Sequence, residues 1–534
     1  MNAAIPPSAA APAPLRTRDR IGVVLVALAL GTVFLIYPFG RDQGNYAYAA
    51  WAWLEGASLY RDVYVFKPPG TVLVHALALG FGHAMTSVRV LDLLWTAATA
   101  LLLTEVVARL GFGRARAVVA GWLWAFTYAQ MTWWTTAQTD GWMTLPVLVA
   151  LWLGLRAASA SPHPRWPALF FAAGLGLGVA IVFKYTAGIA ALPLGVVILG
   201  LPDWRRRVGA AALVGVGAAL VVAGMVGWLV AAGSWESFRE TQSAVVTSYV
   251  SESRHYGWGD GTVRMASQLV QHAGIRATGP WFYVGLLFLV ARVRARGSAV
   301  LLAWCLAGLI SCVSQGKLFT YHYLYAFPPM AAVAAVGMVG VVEAVTSRVG
   351  GRWLAGALAV VLAVGMVSVS RLPGQYQRLF GVVSGQRTLL QEWKRGPYHQ
   401  NSFSMADDLA LVAHLRQVTG PEDRVFLWGF EPLVNFAAER LTVSRFLYNY
   451  PFAVSWGNPA YEAELLAALT ADPPAAFVVA SKDATFGVTG TKDDSRALFL
   501  RFDALRAFVA ARYGAPTAVT RFDVYLRLPG PDAP

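Results

Sequence analysis

Asp42 and Lys67 bracket a polar, aromatic-rich stretch, Gly40-Arg41-Asp42-Gln43-Gly44 through Phe66-Lys67-Pro68-Pro69-Gly70, that follows the first long apolar run. A carboxylate there can accept a proton from a hydroxyl, and an ammonium can neutralise a phosphate. Asp140, in Gln138-Thr139-Asp140-Gly141-Trp142, is a second carboxylate of the same kind, although a solvated loop position accounts for it nearly as well. Before residue 370 the chain has only three lysines, Lys67, Lys184 and Lys317, while arginine serves the other loops. Each lysine alone could snorkel its amine from a helix end. Taken with Arg254, His255 and His322, the three lysines point to a phosphate site.

The elements that must position these residues are set by composition. Of 534 residues 57% are hydrophobic and 13% charged, too apolar for a water-soluble globule, so the chain is expected to be a polytopic membrane protein. Apolar runs of the length needed to cross about 30 Å of hydrocarbon occur at Ile21–Phe39, Val88–Ala108, Ala117–Trp134, Trp142–Leu155, Trp166–Phe183, Thr186–Leu201, Val208–Val230, Pro280–Val290, Ala299–Val313, Leu324–Val342 and Trp353–Ser370.

The net charge of +14 invites a nucleic-acid reading, yet the arginines recur in small clusters after every second run, at Arg16 to Arg20, Arg109 to Arg116, Arg156 and Arg165, Arg205 to Arg207, Arg292 to Arg296, and Arg348 and Arg352. This is the positive-inside pattern of cytoplasmic loops, and nucleic acid is not an expected partner. An even number of crossings must separate the first two clusters, so Pro69–Gly82 reads as a re-entrant or juxtamembrane helix returning to the outer face. Eleven crossings of the plasma (inner) membrane follow, with the N-terminus cytoplasmic and everything after Arg371 extracytoplasmic.

The Pro/Ala-rich residues 1–20 read as a disordered cytoplasmic lead, followed by a retained signal anchor rather than a cleaved peptide. Cys305 and Cys312 lie seven apart on one helix, too far to bond each other, and read as packing residues. Gly174, Gly176 and Gly178 read as close-packing positions between helices, since no strand precedes them as a phosphate loop would need. After residue 370 the composition changes, and residues 371–534 read as a small α/β extracytoplasmic domain beside a membrane domain over 21–370, whose first outer loop is 40–87. Strands are expected at Arg424–Trp428, Ala476–Ala480 and Phe522–Arg527, and helices at Leu409–Val418, Tyr461–Leu469 and Ser495–Arg512. Asp407-Asp408 and Asp493-Asp494 precede helical runs, where capping is favoured over catalysis.

Asp42 after the first crossing, an interfacial loop helix over Asn45–Leu54, Leu59-Tyr60-Arg61-Asp62 and Phe66-Lys67-Pro68-Pro69-Gly70 together resemble the first outer loop of C-type glycosyltransferases, the closest groups being protein O-mannosyltransferases and the lipid A aminoarabinose transferase. Lys184-Tyr185 and Lys317 to Tyr323 fall where that family has similar patterns. The resemblance covers the membrane part and weakens after residue 370. It implies inverting transfer of a hexosyl or pentosyl group from a polyprenyl-phosphate-linked sugar, within the membrane lipid, to a protein, lipid or glycan acceptor at the outer face. Carried over by position, Asp42 would be the general base and Lys67 would neutralise the donor phosphate. On the reading of the residues themselves, Asp140 is a second candidate catalytic carboxylate, Lys184, Arg254, His255, Lys317 and His322 join Lys67 as candidates for the donor phosphate, and Tyr46, Tyr60, Asp62 and Tyr321 are candidates for positioning the loop and substrates. Many relatives have Asp-Glu where this chain has Asp42-Gln43, which leaves any divalent metal open. No cofactor is required, because displacing a phosphate leaving group needs chiefly positioning and charge neutralisation. The rival function, a transporter or flippase of lipid-linked sugars, would be expected to show internal repeats and mid-membrane charges, neither of which is evident.

The orientation is directly testable. Reporter fusions after Arg116 or Arg207 should be cytoplasmic and one after Gly374 extracytoplasmic; a cytoplasmic Gly374 fusion would restore Pro69–Gly82 as a crossing.

Overall fold

The computed structural model describes residues 14–159, 164–244, 273–349, 352–400 and 402–529, with the single positions 248, 263 and 267. The first part of the expected N-terminal lead, and the candidate residues Arg254 and His255, lie outside the described residues. The chain forms two compact units, one of Met1–Leu35, Val90–Met225 and Gly257–Phe380, the other of Ile36–Arg89, Val226–Tyr256 and Gly381–Pro534.

Each of the eleven apolar runs falls on a helix. Among the described residues six helices are long and apolar enough to cross a membrane: Thr17–Ile36, Met85–Arg109, Trp166–Phe183, Trp204–Ala231, Arg296–Ser314 and Phe327–Arg348. A seventh span results if Trp353–Ser368 and Leu372–Val383 are taken together across their 73° bend. Residues 369–371 separate the two helices, and Pro373 stands in the first turn of the second, where a missing N–H is tolerated. Arg114–Ala129, Thr144–Ala157, Tyr185–Leu199 and Thr278–Val290 are shorter. At about 1.5 Å per residue, a 14-residue helix such as Thr144–Ala157 reaches only about two-thirds of the way across the hydrocarbon. Among the described residues, length and composition alone pick out six or seven spans; the expectation of eleven also counts the runs that fall on these shorter helices. Gly70–Leu79, within the segment expected to be re-entrant, has 10 residues and is too short to cross.

Small residues let the helices of the first unit approach closely. A Cβ added at Gly174 would run into the Val214 carbonyl, one at Gly178 would lie 2.8 Å from the Ala218 carbonyl oxygen, and one at Gly217 would meet the Phe171 carbonyl. These glycines seat Trp166–Phe183 against Trp204–Ala231, the close-packing role expected from the sequence. Gly285 and Gly337 do the same between Ala273–Val290 and Phe327–Val349. Cys305 and Cys312 are both free and buried.

In the second unit, a mixed four-stranded sheet has the order Val425–Trp428, Ala476–Ala480, Phe522–Leu526, Thr517–Val519. The first pair is parallel, with Val425 opposite Ala476, and the others are antiparallel. All four residues of Val425–Trp428 are buried, as a strand covered on both faces requires. Leu411, Leu415 and Val434 from the flanking helices pack on Leu427, Val478 and Val524 to form the core. The helix expected over Ser495–Arg512 is instead two, Ser495–Arg501 and Asp503–Arg512. Phe502 breaks the run because its ring turns inward, 5.9 Å from Trp428. The loop helix starts earlier than expected, at Arg41 rather than Asn45, and runs to Leu54. It belongs to the same compact unit as the C-terminal sheet, so the units divide the chain otherwise than at residue 370. Gly44 is where this helix meets the helix Leu433–Ala438, and an added Cβ would lie 2.8 Å from the Leu433 backbone.

Gly174→Val should lower thermal stability in detergent by about 1–3 kcal/mol, as overpacking does. Gly215→Ala, on the opposing helix but with open space around it, should be nearly neutral. Equal effects of the two substitutions would refute the close-packing role.

Candidate functional site

The candidate residues fall into two groups, one in each compact unit. In the second unit Asp42 sits in the first turn of the helix Arg41–Leu54, where a negative charge meets the helix dipole favourably. It is half-buried. Gln43 is fully buried and places its amide oxygen 3.1 Å from the Gly40 N–H, which donates to it as in a capping box. Gln43 thus has a structural task, closing the helix N-terminus.

Arg41 is unusual because a cation at a helix N-terminus opposes the dipole and here is also buried. Its charge is answered by Glu431: Arg41 Nη2 donates to Glu431 Oε1 at 2.5 Å and Nε at 3.2 Å. Arg41 Nη1 also donates to the Ser402 hydroxyl at 3.1 Å, and the Phe403 and Phe430 rings lie against the guanidinium. Arg521 completes the cluster, with Nη2 donating at 2.8 Å to Glu431 and at 2.9 Å to Asp408. Asp408 was expected to cap its helix; instead Ser404 caps it, accepting from the Asp407 N–H, and Asp408 turns inward to Arg521. Burial, followed by the nearby Glu431 charge, pushes the Asp408 carboxyl well above the usual carboxylate range. Asp494 does cap, accepting from the Ala497 N–H.

Lys67 is half-buried at the end of the loop, and Tyr60 holds its backbone by donating from its hydroxyl to the Lys67 carbonyl at 2.8 Å. Tyr60 itself has φ 69°, a left-handed conformation that costs energy in a bulky residue. The strain is held by the Tyr60 N–H donating to the Val63 carbonyl at 2.8 Å and by an edge contact of the buried ring with Phe238 at 4.9 Å. Gln242 donates to the Phe66 carbonyl at 3.0 Å. Asp62 is exposed and closes the turn by accepting from the Ser58 N–H at 2.8 Å; the Arg61 guanidinium beside it holds its carboxyl below the usual range. Tyr46 is buried against His75, with ring centroids 5.6 Å apart.

In the first unit the structure pairs two residues that the sequence reading treated separately. Lys184 Nζ lies 2.7 and 3.0 Å from the carboxylate oxygens of fully buried Asp140. Gln315, which no local motif singles out, accepts from Lys184 and donates to Asp140 at 3.2 Å. Asp140 starts a one-turn helix, Thr139–Trp142, and Lys184 stands in extended backbone between Trp166–Phe183 and Tyr185–Ala190. Lys184 and Asp140 thus form a buried ion pair in which each charge is answered by the other. Lys317, Tyr321 and buried His322 follow Gln315 on the same loop, the Tyr321 and His322 rings 4.8 Å apart. Among the described residues no three His, Cys, Asp or Glu side chains converge as a metal-ligand set.

A family model described as dolichyl-phosphate-mannose-protein mannosyltransferase matches residues 66–230, which include Lys67, Asp140 and Lys184. No curated protein sequence matches the chain. Among solved structures, ArnT from Cupriavidus metallidurans bound to undecaprenyl phosphate is similar with a TM-score of 0.59 at 16% identity, over 96% of this chain and 99% of that one. Its apo form gives 0.56 at 16% identity, over 95% and 97%. The apo oligosaccharyltransferase of Archaeoglobus fulgidus gives 0.52 at 13% identity, over 97% of this chain and 75% of that one.

The buried cluster makes a prediction with an internal control. Glu431→Gln leaves two buried guanidinium groups short of a counter-charge and should cost about 3–5 kcal/mol. Asp408→Asn should cost much less, since a carboxyl whose pKa is raised on folding is the one most ready to be neutral. The sign is definite: Asp408 contributes stability that is full below about pH 4, its unfolded value, and is lost as pH rises through its folded pKa. Thermal unfolding of both variants across pH checks this, and an Asp408→Asn loss as large as that of Glu431→Gln would contradict it.

These likenesses span nearly the whole chain and show that it shares the fold of ArnT and of the archaeal oligosaccharyltransferase.

Proposed function

We propose that the protein is an integral-membrane glycosyltransferase that moves a sugar from a polyprenyl-phosphate donor to an acceptor hydroxyl, with inversion, at the extracytoplasmic face. The observation that carries this reading is the pairing of Asp42 and Lys67 on one anchored loop. A carboxylate in a helix first turn and a cation with a pinned backbone both belong to one compact unit. The fold shared with an enzyme solved with undecaprenyl phosphate and the mannosyltransferase match starting at residue 66 support the donor class.

In the proposed step the acceptor oxygen attacks the anomeric carbon as the bond from that carbon to the phosphate oxygen breaks. Asp42 takes the hydroxyl proton, and the electron pair of the broken bond leaves with the polyprenyl phosphate, whose charge Lys67 neutralises. Tyr60 and Gln242 hold the loop backbone so that this cation does not have to be ordered during the reaction. The Asp140–Lys184–Gln315 triad serves as a neutral, rigid support of the first unit, with Lys317 the cation of that unit facing substrate. In this reading no metal takes part. The sugar, hexosyl or pentosyl, is carried by a lipid of the plasma membrane, and the acceptor is a protein, lipid or glycan outside the cytoplasm.

Transfer from a polyprenyl-phosphate sugar, assayed with purified protein in detergent with EDTA and no ion gradient, should fall at least about a hundredfold in Asp42→Asn, within the range of general-base contributions. Lys67→Met should weaken donor use while leaving the folded protein intact. Near-normal transfer by Asp42→Asn would remove Asp42 as the base. A wild type that transfers no sugar yet moves a lipid-linked sugar across vesicles would establish a flippase instead.

A further inference from the structure

The second unit also contains a cavity of about 250 Å³ lined by Tyr64, Glu240, Ser243, Trp456, Asn458 and Tyr461, among others. Its walls come from the first loop, the helix Trp235–Ala244 and the segment around Trp456, all within the one unit. The volume lies just below the range of about 300–1,000 Å³ typical of drug-sized ligands, room for one small ring rather than a chain.

The lining has two kinds of surface. Tyr64 and Tyr461 are almost completely buried in their own packing yet face the cavity, and their rings meet edge to face at 6.1 Å. Arg445 fixes this wall from behind, 5.8 Å from the Tyr64 ring and 5.2 Å from Tyr461, with its own charge held by Glu464 at 2.6 Å. Trp456 adds a third aromatic, 6.0 Å from Tyr450. The polar surface is Glu240, Asn458 and the Ser243 hydroxyl. Glu240 accepts from Asn458 Nδ2 at 3.1 Å and lies 3.6 Å from Arg445. The half-buried ring of Trp456, beside a carboxylate, an amide and a hydroxyl and backed by the two packed tyrosines, is complementary to a sugar ring, whose C–H face stacks on an aromatic and whose hydroxyls both donate and accept.

We propose that this cavity is a carbohydrate-binding subsite that takes one neutral glycosyl ring, the terminal sugar of a glycan acceptor. The assignment of the ring as acceptor rests on the glycosyltransferase reading; the binding of a sugar there does not. Glu240 sets the specificity, because a carboxylate in the lining repels an anionic sugar while bonding to neutral hydroxyls.

The test uses the full-length protein in a detergent without a sugar headgroup, titrated with methyl mannoside, methyl glucoside, methyl arabinoside and methyl glucuronide and followed by saturation-transfer NMR. At least one neutral glycoside should bind saturably, and the glucuronide at least about fivefold more weakly than the glucoside. Trp456→Ala should weaken binding about fivefold or more, which is the loss of one aromatic contact. Asn458→Ala, at an exposed position that bears little on folding, should weaken it in the same direction. Asp42→Asn should leave glycoside binding unchanged while abolishing transfer, so failure of the catalytic reading and failure of the subsite are read out separately. Absence of binding by every glycoside, binding unaffected by both Trp456→Ala and Asn458→Ala, or glucuronide binding equal to glucoside binding would overturn the subsite.

Discussion

The buried contact between Arg41 and Glu431 is the constraint on which the loop depends. Two charges taken out of water cost several kcal/mol each, a cost that close pairing offsets. Glu431 bridges Arg41 and Arg521 through Oε1, while its Oε2 is buried with no hydrogen-bond partner among the described residues, and Arg521 in turn draws in Asp408. The cluster tolerates little displacement, because moving the helix Arg41–Leu54 would leave a buried charge without its partner. Gly44 acts with it, since the backbone of Leu433 lies where any larger residue would stand. Asp42 occupies the next position after Arg41, so its direction follows from the pair. A carboxylate on a flexible loop would have to be ordered at every turnover; here the ordering is done by folding.

The loop beyond that helix is fixed by other means. Tyr60 adopts a backbone conformation that few tyrosines do, and the strain is balanced by one main-chain bond, one buried ring contact and the hydroxyl bond to the Lys67 carbonyl. The first unit solves the same problem with an ion pair. Asp140 and Lys184 each carry a charge that would be costly alone in a buried place, and together with Gln315 they form a neutral, fully bonded set. Of the three lysines, Lys184 is thus buried against a carboxylate, whereas Lys67 and Lys317 are half-buried.

Much of the architecture was legible because it rests on local signals. The apolar runs locate the helices, alternation and β-branched residues locate three strands, and Gly174 and Gly178 were recognisable as packing positions because no strand precedes them. What escaped was non-local. Helix lengths do not follow from run lengths: Ala117–Trp134 is apolar beyond the point at which the helix ends at Ala129. The break at Phe502 reflects a ring drawn to Trp428, far away in sequence. Asp407-Asp408 reads as a cap from its neighbours alone, and only Arg521, more than a hundred residues on, explains why Asp408 turns inward. Arg41 did leave a trace, as a cation at the wrong end of a helix dipole, and such a residue calls for a buried carboxylate somewhere in the chain. Gln315 left none.

Sequence identity as low as 13–16% over nearly the whole chain is what these constraints permit. Lipid-facing helices accept almost any apolar residue, so most positions are free to drift while a few close-packing glycines keep the helices in place. Polar positions are tied to specific partners: an apolar residue in place of Gln43 would leave the Gly40 N–H without its acceptor. The fold persists because its requirements are generic. The chemistry is confined to the residues whose partners are not, and the clusters around Arg41 and Lys184 mark where substitution in one residue demands an answer from another.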